Sequence, residues 1–120
     1  MIYDDFVKAI NELNGNNVFK KSEVKNNPYN PFYDLYNPSG AEFEYNDGVV
    51  FMLPYKKIEQ VTKEYGLLNA DYVFAICNSD PFFVKNKKVF TCCHGTKEPD
   101  FELIANSFEE FLTIIAREAR

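Results

Sequence analysis

Chemistry in this 120-residue chain would have to come from two groups of side chains. One is the thiols and imidazole of Cys77, Cys92, Cys93 and His94; the other is a set of carboxylates. Cys92-Cys93-His94 together with Cys77 offers metal ligands by type. Three adjacent residues converge poorly on one tetrahedral ion, however, and no C-x-x-C pair opens such a site. A cysteine nucleophile needs a base and a third group to orient that base, and sequence neighbours rarely meet as nucleophile and base. The cluster reads as structural thiols with a turn histidine beside Gly95. Asp34, Glu42, Glu44, Asp80, Glu98 and Asp100 supply carboxylates, but no spacing among them imposes the geometry of a general acid–base pair. They read as solvated surface acids. The five glycines are scattered at turns and form no loop able to cradle phosphate. No enzyme, metal or cofactor is expected.

The acids matter more as a field than as reagents. The formal net charge is −5, and it is unevenly distributed. Residues 31–54 hold Asp34, Glu42, Glu44 and Asp47 without a single Lys or Arg, and residues 92–110 hold five acids against Lys97. Nucleic-acid binding needs clustered positive charge to displace counterions, so direct contact with nucleic acid is not expected. A cationic protein partner is electrostatically reasonable, although moderate acidity also simply keeps a small domain soluble.

The length suits one domain with a single core. Twelve Phe and eight Tyr without Trp fit a sheet-rich interior. Three cysteines, two of them adjacent and therefore on opposite faces of a strand, suit free thiols in a reducing compartment. The first ten residues lack a basic segment followed by an apolar one, and no apolar run reaches membrane-spanning length. A cytoplasmic protein with no membrane partner is expected.

These residues must be placed by the following elements. Asp4 or Asp5 caps a first helix with an apolar stripe of Ile2, Phe6, Ala9, Ile10 and Leu13, stopped at Asn14-Gly15. Residues 16–31 are polar and Asn-rich and read as a mobile connection ending in Pro28 and Pro31. Residues 32–36 form an aromatic knot, either a short strand or irregular. Residues 41–45 and 49–53 flank Asn46-Asp47-Gly48 as a hairpin, with the second arm an interior strand. Beyond Pro54 a helix is expected from about Lys56 to Tyr65, ended by Gly66. Residues 72–77 are continuously apolar and read as a central strand running into a turn at residues 78–81. A hairpin turns at Lys85-Asn86-Lys87-Lys88, whose lysines would discourage edge-to-edge pairing if this pair lies near a sheet edge. A last strand follows at residues 101–105. Ser107 and Glu110 form a capping box opening a helix with the stripe Phe108, Phe111, Leu112, Ile115 and Ala119. This is a small α+β domain.

Three segments together resemble the SUKH superfamily, the domain shared by yeast Smi/Knr-type cell-wall regulators and many bacterial immunity proteins. The first is the strand and turn Tyr72-Val73-Phe74-Ala75-Ile76-Cys77-Asn78-Ser79-Asp80-Pro81, where the family often carries Asn-Gly-Asp or Gly-Gly-Asp and this chain has Ser79 in place of the usual Gly. The second is the hairpin Phe82-Phe83-Val84-Lys85-Asn86-Lys87-Lys88-Val89-Phe90. The third is the ending Ile104-Ala105-Asn106-Ser107-Phe108-Glu109-Glu110-Phe111-Leu112, close to the common "IADSFEEFL". The similarity covers about the last fifty residues. The "Leu-Pro…Tyr…Phe-Leu" opening of many members is absent.

The resemblance implies a mixed, mainly antiparallel sheet of about six strands with N- and C-terminal helices packed on it. It also implies one of two non-enzymatic roles: an immunity protein that occludes a cognate toxin, often a nuclease, or a regulatory adaptor of the Smi/Knr type. In the immunity role the expected contact residues come from Asp34, Glu42, Glu44, Asp47, Asp80, Glu98 and Asp100, with Tyr33 and Tyr36 as aromatic anchors. The partner would be a basic protein, and the chain itself a monomer or weak homodimer.

Overall fold

A computed structural model describes residues 2–67, 69–92 and 101–118. Its centre is a six-stranded antiparallel meander in which each strand pairs with its sequence neighbour. The strands are β3 (Glu42–Tyr45), β4 (Gly48–Met52), β5 (Tyr72–Cys77), β6 (Asp80–Lys85), β7 (Lys88–Thr91) and β8 (Glu102–Ala105). Two short strands, β1 (Phe19–Lys21) and β2 (Tyr36–Pro38), pair separately. Helices α1 (Ile2–Asn14) and α4 (Phe108–Glu118) pack on one another, α1 also against β3 and α4 against β7 and β8. A 3-10 turn (Tyr55–Lys57) leads into α3 (Ile58–Tyr65), which packs against β5. The expected α+β class and the N- and C-terminal helices are therefore present.

Three of the meander's connections are two-residue turns with both residues in the left-handed region: Asn46-Asp47, Asn78-Ser79 and Asn86-Lys87. This is the type I′ geometry whose twist matches that of the flanking strands, and Asn is the non-glycine residue best suited to open it. Gly48, expected in the turn, is instead the first residue of β4, paired with Tyr45. Asp80 and Pro81, also expected in a turn, begin β6. The lysine-bearing β6–β7 hairpin is flanked by β5 and β8, so its lysines lie at a turn and not along a sheet edge.

The core is aromatic. Phe111 of α4 touches the rings of Phe43, Phe74 and Phe82, and Phe6 of α1 touches Phe19, Phe32 and Phe43. The α4 start is capped as expected: Ser107 Oγ accepts from the Glu110 amide at 3.0 Å, and Glu110 Oε1 accepts from the Asn106 amide at 3.3 Å. Gly66 ends α3 at φ +57°. The α1 stripe differs from expectation. Val7 joins Phe6 and Ile10 in the core, while Ile2 and Leu13 stay 46% and 49% exposed.

Residues 16–38 depart furthest from the sequence reading. Phe19–Lys21 form a strand within the expected connection, and the aromatic knot is a one-turn helix, α2 (Phe32–Leu35), followed by β2. Pro31 brings a helical φ of −60°, and Asn30 Oδ1 accepts from the Phe32 amide at 3.0 Å, so Asn30-Pro31 starts a helix locally.

Candidate protein-binding surface

The surface is built on the β3–β4 hairpin. Phe43 and Val50 pair across the ladder and point into the core, 2% and 0% exposed. Strand alternation then sends Glu42, Glu44, Val49 and Phe51 to the opposite face. There Glu42 lies opposite Phe51 and Glu44 opposite Val49. The first row continues through Ile76 and Pro81 on β5 and β6. Side chains of such cross-strand pairs sit about 5 Å apart at Cβ. The result is a ridge of exposed carboxylate beside apolar surface, with Val49 left 49% exposed and Phe51 half-buried. Asp47 stands exposed on the turn at its end. None of Glu42, Glu44 and Asp47 makes an ion pair with a described residue, whereas Glu59 and Lys63 pair at 3.5 Å along α3.

The sequence-derived contact residues separate into distinct places. Glu42, Glu44 and Asp47 share the hairpin. Asp80 begins β6 opposite Cys77, on the core-facing side of the sheet. Together with Asn46 and Gly48 of the hairpin it lines a small cleft of about 190 Å³ that also includes Tyr45 and Glu102. Burial pushes the Cys77 thiol up, and the Asp80 carboxylate adds to it; Tyr45 is raised by burial and then by Glu102 and Glu118.

Asp34 lies elsewhere. Its Oδ1 accepts from the Asn27 amide at 3.0 Å and from Asn27 Nδ2 at 2.7 Å, and these bonds hold its carboxyl below the usual range. Asp34 therefore organises the loop before α2. Tyr36 donates its hydroxyl to Asp4 Oδ1, and that bond pushes the phenol up. It lines a separate cleft of about 440 Å³ between α1 and β1–β2. Tyr33 is a correction to the sequence reading. It is 0% exposed, with its ring against Phe32, Tyr55 and Phe108, because α2 turns it under the start of α4. It is a core residue and cannot anchor a partner. Glu98 and Asp100, like Cys93 and His94, lie outside the described residues.

A larger cleft of about 600 Å³ opens at the start of α4, lined in part by Tyr29, Asn30, Tyr72, Lys87 and Glu109. Several of its polar groups are engaged in holding the fold. Glu109 Oε2 accepts from Tyr3 at 2.7 Å, Asn30 Nδ2 donates to the Tyr72 hydroxyl at 2.6 Å, and Asp71 Oδ2 accepts from the Asn86 amide at 3.1 Å. Among the described residues no group of three His, Cys, Asp or Glu side chains could hold a metal ion, and no helix is long and apolar enough to cross a membrane.

Val49 and Phe51 were missed as surface residues because residues 49–53 are all apolar and read as wholly interior. The signal was nevertheless there. A two-residue turn at Asn46-Asp47 sets Val49 opposite Glu44 and Phe51 opposite Glu42, and those acids belong to the wet face of an alternating arm.

Fold and surface define an α+β domain with an acidic, partly apolar hairpin face. Comparison with protein-family models, with curated proteins and with solved structures finds no match for this chain.

Proposed function

We propose that this chain is a protein-binding domain that neutralises a cognate toxin protein by one-to-one occlusion, its acidic surface covering a basic site on the toxin. The observation that carries the reading is the β3–β4 hairpin. Its carboxylates Glu42, Glu44 and Asp47 lack cationic partners among the described residues and stand beside the exposed Val49. Charged side chains left uncompensated next to apolar area contribute little to folding but steer and orient a partner of opposite charge. The resemblance of residues 72–112 to immunity proteins supports the same reading.

The test is a titration. The purified chain is added to the toxic domain of the protein encoded beside it, and toxicity or enzymatic activity of that domain is followed. Loss of activity complete at one equivalent supports the proposal. Activity that persists under tenfold excess of the chain sinks it. Stable association with a cellular complex, without any protection against a toxin, would replace it with the adaptor role.

A further inference from the structure

We infer that the partner's contact segment is a basic amphipathic helix lying across the outer face of the β3–β4 hairpin, with its cations over Glu42 and Glu44 and an apolar side chain against Val49 and Phe51. The inference rests on the neutralisation reading for the identity of the partner, but the surface itself is argued from geometry.

Two docking modes are open to a strand at a sheet edge: addition of a partner strand to its free backbone, or contact with its side-chain face. The first is obstructed at the start of β3. Ala41 O accepts from the Met52 amide at 3.0 Å, so in the alternating ladder the next carbonyl, that of Glu42, points away from β4. That carbonyl is already taken by Asn14 Nδ2 at 2.9 Å, from the last residue of α1. The same amide group donates to Ile10 O at 2.8 Å, so it is held in place by its own helix. The C-terminal end of α1 thus seals the start of the edge. The face remains, and it carries both kinds of contact a helix needs. Glu42 and Glu44 are separated by about 7 Å along the strand. Lys or Arg residues four apart on a helix rise by about 6 Å, a match within the reach of their side chains. The opposite row presents Val49 and Phe51, so the cations would be aligned by apolar contact beside them. The stretch 42–52 carries three acids and no base, which makes the complement cationic.

The experiment uses the full chain labelled with ¹⁵N and a defined probe, an 18-residue amphipathic Lys/Leu helix. An isomer of the same composition with scrambled order, which has no apolar face, is the control. The inference expects amide shift changes concentrated at residues 42–52 with the amphipathic peptide. It also expects binding about tenfold weaker in Glu42→Lys/Glu44→Lys, as reversal of two charges facing a cationic partner requires. Glu42→Gln/Glu44→Gln serves the same purpose should the lysine variant not fold. Shift changes centred on the α4 cleft or on α1, equal binding of the scrambled peptide, or unchanged binding by a folded double variant would each overturn it. The two readings fail separately. A double variant that still neutralises toxin at one equivalent defeats this inference and leaves neutralisation standing. A wild-type chain that binds the helix at the hairpin but protects against no toxin does the reverse.

Discussion

Gly48 and Cys77 approach so closely that a Cβ on Gly48 would stand 2.5 Å from Cys77 Sγ. Gly48 needs no unusual backbone angle; it is required because β4 and β5 bring its Cα against the thiol. Gly48→Ala is expected to destabilise the fold by about 1–3 kcal/mol, as overpacking does. Cys77→Ala removes the obstructing sulfur, so the double variant should recover most of that loss. The check is a double-mutant cycle by urea denaturation, and additive losses would show that the two residues do not interact.

Ser79 and Lys87 each occupy the second position of a type I′ turn, at φ +73° and +67°. An L side chain there costs roughly 1–2 kcal/mol, while glycine adds about 0.5–1 kcal/mol of entropy to the unfolded chain. Ser79→Gly and Lys87→Gly should therefore each stabilise by about 0.5 kcal/mol, a rise of about 2 °C in Tm. The Tyr65 hydroxyl donates to the Ser79 carbonyl, which glycine retains. A fall in Tm for both variants would contradict the turn assignment.

Tyr33 buries a hydroxyl that finds no hydrogen-bond partner among the described residues. An unsatisfied buried donor costs about 1–3 kcal/mol, and Phe fills the same ring volume without it. Tyr33→Phe is expected to stabilise by about 1 kcal/mol in chemical denaturation. A loss of stability of that size would mean that the hydroxyl is satisfied in solution.

The tyrosines predict the alkaline limit of the fold. Burial raises Tyr33 and Tyr72 well above the ordinary phenol range, and burial with the Glu109 hydrogen bond raises Tyr3. A group whose folded pKa is raised contributes stability that is fully present below its unfolded value, about 10, and lost as the pH rises through the folded value. Stability should therefore decline above about pH 10. Phenolate absorbance near 295 nm should appear together with the loss of far-ultraviolet dichroism. Full ionisation of all eight tyrosines while the fold persists would rule this out.

Much of this molecule was legible in local pattern. Ser107 and Glu110 mark a helix start wherever they occur before an apolar stripe, and Asn46-Asp47 before an apolar arm marks a hairpin, because both signals act within a few residues. The class, the C-terminal helix and the hairpins at residues 41–53 and 82–91 followed from such signals. Asn30-Pro31 also carried a local helix start, but the five residues 32–36 were too few to show a period by which to recognise it. Only the packing decided that Tyr33 belongs to the core, since α2 must tuck under α4 for that to happen, and that Asp34 of α2 braces the loop before it. Only the packing gave Gly48 its purpose, which is a contact with a residue 29 positions along the chain. The same holds for the candidate surface. Composition determined that acids would gather in residues 31–54 without compensating cations. Which of them share a face with exposed Val49 and Phe51, and that Asn14 closes the adjoining edge, depended on contacts between segments that no local pattern encodes.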